Sequence, residues 1–399
     1  MELQSWWRGE FWSFRAGSVS RKGAKHELKA QSKIDSLRLL FFLAPLRETY
    51  FFITQLMTED SLDLLIIGAG PAGLSAADAA AREGLSYLVI EKGTIADTIR
   101  QYPVGRTLFS TPNELEMSAG ALHPVREKPT REELLSHYIH FVLDADLRIN
   151  TGEEVTSIEQ AEPERFVTHT RSLNTLGQET KATYQARRLL FAIGAMARPR
   201  RLNIPGEDLP KVHHRFIEPY PYVRKEALVV GGGNSAAEAA LFLSEEGART
   251  TMAIWREDWE NRDPKAGAMK HWVRSPLERE IAEGRLRVIL YQQIDEVTAH
   301  EVTLTTETTE QLTIPNDVVF VLVGSDADLT LLKSLGVEIT SGKPTEMPVY
   351  DEETFETNVR GVYVAGHFTN ARHIKAAIDV PRKIVPLIAQ SLRATAGTW

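Results

Sequence analysis

The chain of 399 residues contains no cysteine. This excludes disulfides, thiolate metal sites and any redox relay built on a cysteine pair. Long basic tracts are also missing, and the formal net charge is −8. Because nucleic acids are bound through clustered Lys and Arg, this charge balance argues against a nucleic-acid partner. The expected partner is a small molecule or a protein.

Apolar runs of membrane-spanning length are missing too. The run from Leu39 to Leu46 is too short to cross a bilayer and is flanked by Arg38 and Arg47. No cleavable secretory signal is apparent in the sequence. We therefore expect a cytoplasmic protein with no membrane partner.

The segment 1–61 differs in composition from the rest of the chain. It contains three tryptophans and a basic stretch at 21–33. One hypothesis is an interfacial membrane anchor, which uses aromatic and basic residues. The hypothesis that we favour is that this stretch is untranslated and that Met57 is the true start. Residues 57–61 form a short polar segment before the first strand, which is the usual beginning of a Rossmann enzyme. The segment is therefore predicted to be disordered or a non-native start.

Two βαβ units dominate the remaining sequence. The first runs through a strand at 62–67, an alanine-rich helix ending at Arg82 and a strand at 86–90. The second has strands at 228–230 and 250–254 on either side of a helix that ends near Glu246. This pattern predicts an α/β protein with two Rossmann-like three-layer domains. Shorter β segments at 155–158, 166–170 and 182–184 predict an antiparallel insertion.

The first unit carries a dinucleotide fingerprint. Gly68, Gly70 and Gly73 form G-x-G-x-x-G between strand and helix, and Glu91 lies at the tip of the next strand. The glycines permit a tight turn, a close approach of the pyrophosphate and helix packing on the strand. Glu91 is expected to accept hydrogen bonds from the ribose hydroxyls. This site is predicted to hold FAD.

The second unit repeats the fingerprint with Gly231, Gly233 and Ala236. The strand that follows ends in Trp255-Arg256 instead of an acid. A guanidinium can pair with a 2′-phosphate that a carboxylate would repel, so this site is predicted to prefer NADPH. The alternative is that Arg256 is a surface charge beside an aromatic residue.

Two fingerprints of these kinds indicate an FAD domain with an NADPH domain inserted into it. The predicted boundaries are 62–205 for the first FAD part, 206–326 for the NADPH domain and 327–399 for the second FAD part. Further cofactor contacts are predicted in the two glycine loops, in the loop after the first unit and near the C-terminal glycine motif: Pro71, Ala72, Tyr102, Ser110, Thr111, Gly194, Asn234, Ser235, Gly366 and His367.

Three histidines are candidates for catalytic or metal-binding groups. His213 and His214 are adjacent on an extended segment and face opposite ways, so they cannot easily share a metal, and no metal site is expected. His367 is a candidate proton source beside the flavin. The favoured interpretation is that it only holds the flavin ribityl chain or pyrophosphate.

Several segments together resemble the YpdA-type bacillithiol-disulfide reductase family, a branch of the thioredoxin-reductase-like flavoproteins. They are Tyr102-Pro103 with 109–111, 128–131, 205–213, 232–241, 270–273 with Glu283-Gly284, and 356–358 with Gly361. The resemblance implies NADPH-dependent electron transfer through FAD to a low-molecular-weight disulfide, in a homo-oligomer. The family commonly carries cysteine in the first glycine loop, where this chain has Ala72, and related enzymes place Asp where this chain has His367.

Other functions stay open at this point. A small electron carrier of the ferredoxin type is an alternative acceptor, because thioredoxin-reductase-like enzymes of that sort need no active-site cysteine. A flavin monooxygenase is a second alternative, since Val212-His213 before the second fingerprint is loosely similar to its linker motif. A non-catalytic module that senses redox state through FAD and NADPH is a third.

Overall fold

The computed structural model describes residues 61–263, 268–340 and 346–396. The predictions for the N-terminal segment, including the anchor and the start at Met57, concern residues that lie outside these ranges apart from Ser61. The helices are α1 (Pro71–Arg82), α2 (Asp97–Arg100), α3 (Pro112–Leu115), α4 (Arg131–Asp144), α5 (Asn234–Glu245), α6 (Arg256–Glu260), α7 (His271–Ala282), α8 (Thr330–Ser334) and α9 (Ile374–Ala396), with a 3₁₀ turn at Tyr220–Tyr222.

The strands fall into two large sheets and two short ribbons. They are β1 (Leu62–Ile67), β2 (Tyr87–Glu91), β3 (Ile149–Thr151), β4 (Glu153–Glu162), β5 (Arg165–Leu173), β6 (Glu179–Phe191), β7 (Arg198–Pro199), β8 (Val212–His213), β9 (Glu226–Val230), β10 (Arg249–Ile254), β11 (Leu286–Val297), β12 (Glu301–Thr306), β13 (Gln311–Pro315), β14 (Val318–Val321), β15 (Ser325–Asp326), β16 (Ile339–Thr340), β17 (Met347–Pro348) and β18 (Val362–Val364).

The first sheet has the order β3-β2-β1-β6-β5-β4, with β18 also paired to β6. Its centre is parallel: β1 pairs with β2 and with β6. The residues of β2 are all buried, as expected for a strand that has layers on both faces. Helices α1 and α9 pack together over one face around Leu74, Ile378 and Ile388.

An antiparallel meander extends this sheet. Strand β5 pairs antiparallel with both β4 and β6. Strand β6 is long enough to serve both regions, because its first half belongs to the meander and its second half lies parallel to β1. The predicted antiparallel insertion is confirmed.

The second sheet has the order β13-β12-β11-β10-β9-β14-β8. Strands β9, β10, β11 and β14 are parallel at its centre, and β11 to β13 form an antiparallel extension. Helices α5 and α7 cover one face around Ala237, Leu243 and Leu277. The sheet is therefore a second Rossmann-like core, formed by a stretch that lies between β6 and β18 of the first. The predicted fold class is confirmed.

The chain passes between the two sheets through paired segments. Strand β7 pairs antiparallel with β15, and Arg200 holds Asp326 with two hydrogen bonds of 2.9 and 2.7 Å. The boundaries predicted at 205/206 and 326/327 stay predictions. Within the described ranges, none of the helices combines the length and the apolar character that a membrane crossing requires.

Candidate functional site

The first glycine turn is shaped by close backbone approaches. Gly68 has φ +107°, and a Cβ there would lie 2.5 Å from the carbonyl oxygen of Ala192. A Cβ on Gly73 would overlap the carbonyl oxygen of Gly68. At Gly70, by contrast, a Cβ would meet no atom of the described residues within 4 Å. Gly68 and Gly73 are thus needed by the protein itself, whereas the space beside Gly70 is open to a ligand.

Helix α1 begins at this turn with Gly70 as its N-cap and Pro71 at its first position. Glycine has no side chain that could bond the first-turn N–H groups, and proline has no N–H of its own. The N–H groups of Ala72 and Gly73 and the helix dipole favour a negative group at this end. The structure therefore fits a pyrophosphate at the place that the fingerprint predicts.

Glu91 binds the backbone of this glycine turn through its side chain. Its buried carboxylate accepts hydrogen bonds of 2.7 Å from the backbone N–H groups of Ala69 and Gly93. Burial raises the pKa of this carboxyl group, and the two N–H donors oppose that rise. Sequence reasoning missed this role in shaping the turn. The predicted contact with ribose hydroxyls stays a prediction, since each carboxylate oxygen can accept a further bond.

The C-terminal glycine motif meets the same turn. Gly366 has φ +99°, and a Cβ on it would lie 3.1 Å from the Cβ of buried Ala72. The neighbouring His367 is exposed by surface area, yet surrounding protein desolvates its ring. This desolvation, together with the electrostatic effects of Arg372 and His373, lowers the pKa of His367. The structure therefore brings Gly366 next to Ala72, and His367 follows Gly366 in the chain.

The loop after the first unit joins the two Rossmann cores. The guanidinium of Arg106 lies 5.1 Å from the ring centroid of Tyr102 and 5.0 Å from that of Phe109. Its Nη2 is 2.9 Å from Oε2 of Glu238 on α5, and both side chains are largely buried. Burial raises the pKa of Glu238 to about 7 against the opposing effect of Arg106. Neither Arg106 nor Glu238 was singled out from the sequence, because nothing local marks a pair so far apart.

Three other residues predicted to contact the cofactor differ in their burial and hydrogen bonding. Thr111 caps α3, and its backbone N–H and hydroxyl both donate to Glu114, at 2.8 and 3.0 Å. Ser110 is partly buried beside it. Gly194 has φ +66°, and a Cβ there would meet none of the described atoms within 4 Å. Cofactor contact by these residues stays a prediction.

The second glycine turn repeats the geometry of the first. Gly231 has φ +141°, and a Cβ there would collide with the carbonyl oxygen of Leu322 and lie 3.2 Å from the Cβ of Ala236. The space beside Gly233 is open, and Gly233 is the N-cap of α5. This turn also fits a pyrophosphate. The sequence did not reveal that a Cβ on Gly232 would collide with Asp258.

The first two residues of α5, Asn234 and Ser235, are both predicted to contact the nucleotide, but within the described residues only Asn234 is hydrogen-bonded to another loop. Oδ1 of Asn234 accepts a 2.9 Å hydrogen bond from the backbone N–H of Lys270, which ties the loop before α7 to this turn. Ser235 is exposed at the start of the helix. The predicted nucleotide contacts of both residues stay predictions.

A cleft of about 590 Å³ lies at the end of β10, the strand that follows the second turn and α5 in the chain. It is lined by Trp255, Arg256, Glu257, Tyr291, Gln292, Glu307 and Thr308. Arg256 is half-exposed and forms ion pairs with Glu260 and Glu307. The guanidinium is therefore placed where the fingerprint predicts the 2′-phosphate, but it already has carboxylate partners.

The sequence matches the family described as pyridine nucleotide-disulphide oxidoreductase over residues 65–366, which includes both glycine turns and ends at Gly366. The chain belongs to this family. It is 36% identical over 302 residues to bacilliredoxin reductase Bdr of Bacillus subtilis strain 168, covering 76% of this chain and 88% of the relative. It is 28% identical to a ferredoxin–NADP reductase of Ignicoccus hospitalis, covering 82% of this chain and 94% of the relative.

The comparison with solved structures gives the same protein family as the comparison of sequences. The bacillithiol disulfide reductase Bdr (YpdA) of Bacillus cereus superposes with a TM-score of 0.75 at 32% identity, covering 83% of this chain and all of that one. The resemblance to the YpdA-type family is confirmed. The chain is an FAD- and NADPH-dependent oxidoreductase, as the two fingerprints predict.

Proposed function

We propose that the enzyme passes electrons from NADPH through FAD to a low-molecular-weight disulfide of the bacillithiol type. The observation that carries this proposal is the similarity to Bdr proteins at 30% identity or more along nearly their whole length. Both glycine turns, whose geometry fits two pyrophosphates, lie within the matched region.

The reaction consumes one NADPH, one proton and one disulfide, and yields NADP⁺ and two thiols. When bound, FAD supplies the two-electron relay between the nicotinamide and the disulfide. The protein holds the pyrophosphates at Gly70 and Gly233 and places the imidazole of His367, whose pKa is lowered by desolvation, beside the Gly366 turn. A neutral imidazole can hold a proton on one nitrogen and accept a hydrogen bond on the other.

No thiol of the protein takes part, because the chain has no cysteine. Ala72, which is buried against Gly366, occupies the position in the first glycine turn where the YpdA-type family commonly carries cysteine. The disulfide must therefore approach the flavin itself. A mixed disulfide between enzyme and substrate cannot form.

The test is a comparison of acceptors under anaerobic conditions. The FAD-bound protein is mixed with NADPH and, in separate reactions, bacillithiol disulfide, oxidised bacilliredoxin, oxidised ferredoxin and a quinone. The proposal expects fastest NADPH oxidation with bacillithiol disulfide and the release of two thiols per NADPH. Rapid reduction of another acceptor with no thiol release would refute it, while the FAD and NADPH assignments would stand.

A ferredoxin-type carrier is the second candidate acceptor. It is favoured by the absence of cysteine together with the similarity to ferredoxin–NADP reductases over most of their length. The same comparison of acceptors separates the two candidates. An aerobic reaction that consumes oxygen and oxygenates an added substrate would instead indicate a monooxygenase.

The homo-oligomer and the cytoplasmic location expected from the sequence stay proposals. The homo-oligomer rests on the resemblance to the YpdA-type family, and the location rests on the sequence, in which no secretory signal is apparent. Light scattering coupled to size-exclusion chromatography measures the first, and a single-subunit mass would contradict it.

A further inference from the structure

The guanidinium of Arg256 is held in one orientation by two carboxylates. Nε donates to Oε2 of Glu307 at 2.6 Å, and Nη2 donates to Oε1 of the same carboxylate. Nη1 donates to Oε1 of Glu260 at 2.7 Å. Glu307 thus occupies the edge of the guanidinium that offers two parallel N–H groups, which is an edge that binds oxyanions in a bidentate manner.

Glu307 is the more firmly placed of the two partners. Its backbone N–H donates to the carbonyl of Leu290 at 3.1 Å, and its own carbonyl accepts from Nε2 of Gln292 at 3.0 Å. Both contacts attach it to β11. The Glu260 side chain is 60% exposed, whereas that of Glu307 is 26% exposed. Glu260 can therefore move aside more easily than Glu307.

The same cleft has the surroundings of an adenosine site. It opens at the end of β10, the strand that follows the second glycine turn, where the adenosine ribose of a dinucleotide lies in this fold. The exposed Trp255 ring offers an aromatic face beside the buried Tyr291 ring, with centroids 6.2 Å apart. A 2′-phosphate on that ribose would meet Arg256 together with Glu307.

We propose that Glu307 sets the preference between NADPH and NADH, because its carboxylate competes with the 2′-phosphate for the bidentate edge of Arg256. This inference rests on the assignment of NADPH to the second glycine turn. A phosphate must displace Glu307 or accept the remaining N–H groups while lying near its negative charge. Either route reduces the binding free energy of NADPH but not that of NADH, whose ribose carries no 2′-phosphate. The preference for NADPH is therefore smaller than it would be if Arg256 were not paired with Glu307.

The test measures binding of two probes to the FAD-bound protein by isothermal titration calorimetry. The first probe is 2′,5′-ADP, which carries the 2′-phosphate, and the second is 5′-AMP, which lacks it. Glu307→Gln keeps the size of the side chain and removes its charge. We expect the Kd for 2′,5′-ADP to fall about two- to fivefold, as for loss of a partly exposed charge interaction, while the Kd for 5′-AMP is unchanged.

Two further variants complete the design. Glu310→Gln removes the same charge from an exposed position in the same hairpin and should change neither Kd. Arg256→Ala should raise the Kd for 2′,5′-ADP about tenfold, and in that background Glu307→Gln should have no further effect. Added salt should reduce the effect of Glu307→Gln, because screening weakens charge competition at an exposed site.

The outcomes separate this inference from the proposed function. If Arg256→Ala weakens 2′,5′-ADP but Glu307→Gln leaves its Kd unchanged or raises it, the role of Glu307 is overturned and the NADPH site stands. If Arg256→Ala leaves both Kd values unchanged, the assignment of the 2′-phosphate to Arg256 fails and takes the inference with it. Neither result depends on the identity of the electron acceptor.

Discussion

Two glycines with the same local geometry lie in the two turns that are predicted to bind FAD and NADPH. Gly70 and Gly233 are both N-caps with extended backbone, and a Cβ on either would enter open space. A Cβ at either position therefore does not clash with the described part of the protein. We therefore expect a substitution here to act mainly on the ligand that uses the space.

Gly70→Val is expected to yield a folded protein without flavin, since the branched side chain occupies the volume needed by the pyrophosphate. The matched variant Gly233→Val should retain flavin and lose reduction by NADPH. Visible absorbance of the purified proteins and anaerobic mixing with NADPH measure the two effects. A yellow Gly70→Val protein would contradict the assignment of the first turn to FAD.

The absence of cysteine leads to a second prediction, which concerns the effect of a thiol reagent on turnover. Pre-treatment with iodoacetamide should leave turnover unchanged, because the chain has no thiol to alkylate. NADPH should also bleach the flavin in a single kinetic phase under anaerobic conditions, because no enzyme thiol–disulfide couple receives electrons from it. Loss of activity after alkylation, with the nucleotide sites still intact, would show that another side chain is essential.

Ala72→Cys tests the same point in the opposite direction. Ala72 is the second residue of α1, and a helix N-terminus lowers the pKa of a thiol there. If the acceptor is a disulfide, we expect the variant to reduce it faster and to become sensitive to alkylation. Unchanged disulfide turnover, with rapid reduction of ferredoxin by the parent, would exclude the bacillithiol assignment. Ala72→Ser is the control, because it adds a polar atom without a thiol.

At the level of helices and loops, the contact between the two Rossmann cores includes a buried ion pair. Arg106 comes from the loop after α2, and Glu238 comes from the second turn of α5. Desolvation raises the pKa of the Glu238 carboxyl group to about 7, although Arg106 opposes the rise. A buried pair of this kind positions the two elements but costs desolvation energy.

The raised pKa has a definite effect on stability. Because folding raises the pKa of Glu238 from 4.5 to about 7, the folded state binds this proton more tightly than the unfolded state. The stability contributed by the protonated group is complete below pH 4.5 and is lost as the pH rises through about 7. The Tm of Glu238→Gln should therefore fall less than that of the parent between about pH 5 and pH 8.

Thermal unfolding of the FAD-bound protein over this pH range measures the difference. Glu246→Gln, at the end of the same helix, removes an exposed carboxylate and serves as the control. Its Tm profile should run parallel to that of the parent. If the profile of Glu238→Gln does so as well, the titration of Glu238 is not coupled to folding.

For the chain as a whole, the described fold begins only at β1. The family match starts at residue 65, and the first strand starts at Leu62. A protein that begins at Met57 should therefore fold, bind FAD and oxidise NADPH like the full chain. Flavin content and the rate of NADPH oxidation check this. A protein that begins at Pro71 is the control, because it lacks β1 and should not hold flavin; a colourless Met57 protein would contradict the prediction.

Local sequence was sufficient for the two nucleotide units, because each depends on residues close together in the chain. Strand periodicity, the spacing of the glycines and the helix that follows are all contained in short segments, and β1, α1, β9 and α5 lie where those segments predict them. The start of α4 is also decided locally, since Thr130 and Glu133 form a capping box across one turn.

Contacts between distant segments could not be obtained in this way. The approach of Gly366 to Ala72, the pairing of Arg106 with Glu238 and the hold of Glu307 on Arg256 each join residues that are remote in sequence. The residue type alone predicts Arg256 as a phosphate ligand, whereas the carboxylate that pairs with it, Glu307, comes from the β12–β13 hairpin. Only the register of β11 and β12 brings that hairpin to the end of β10, because side-chain proximity across a sheet is decided by strand order and pairing.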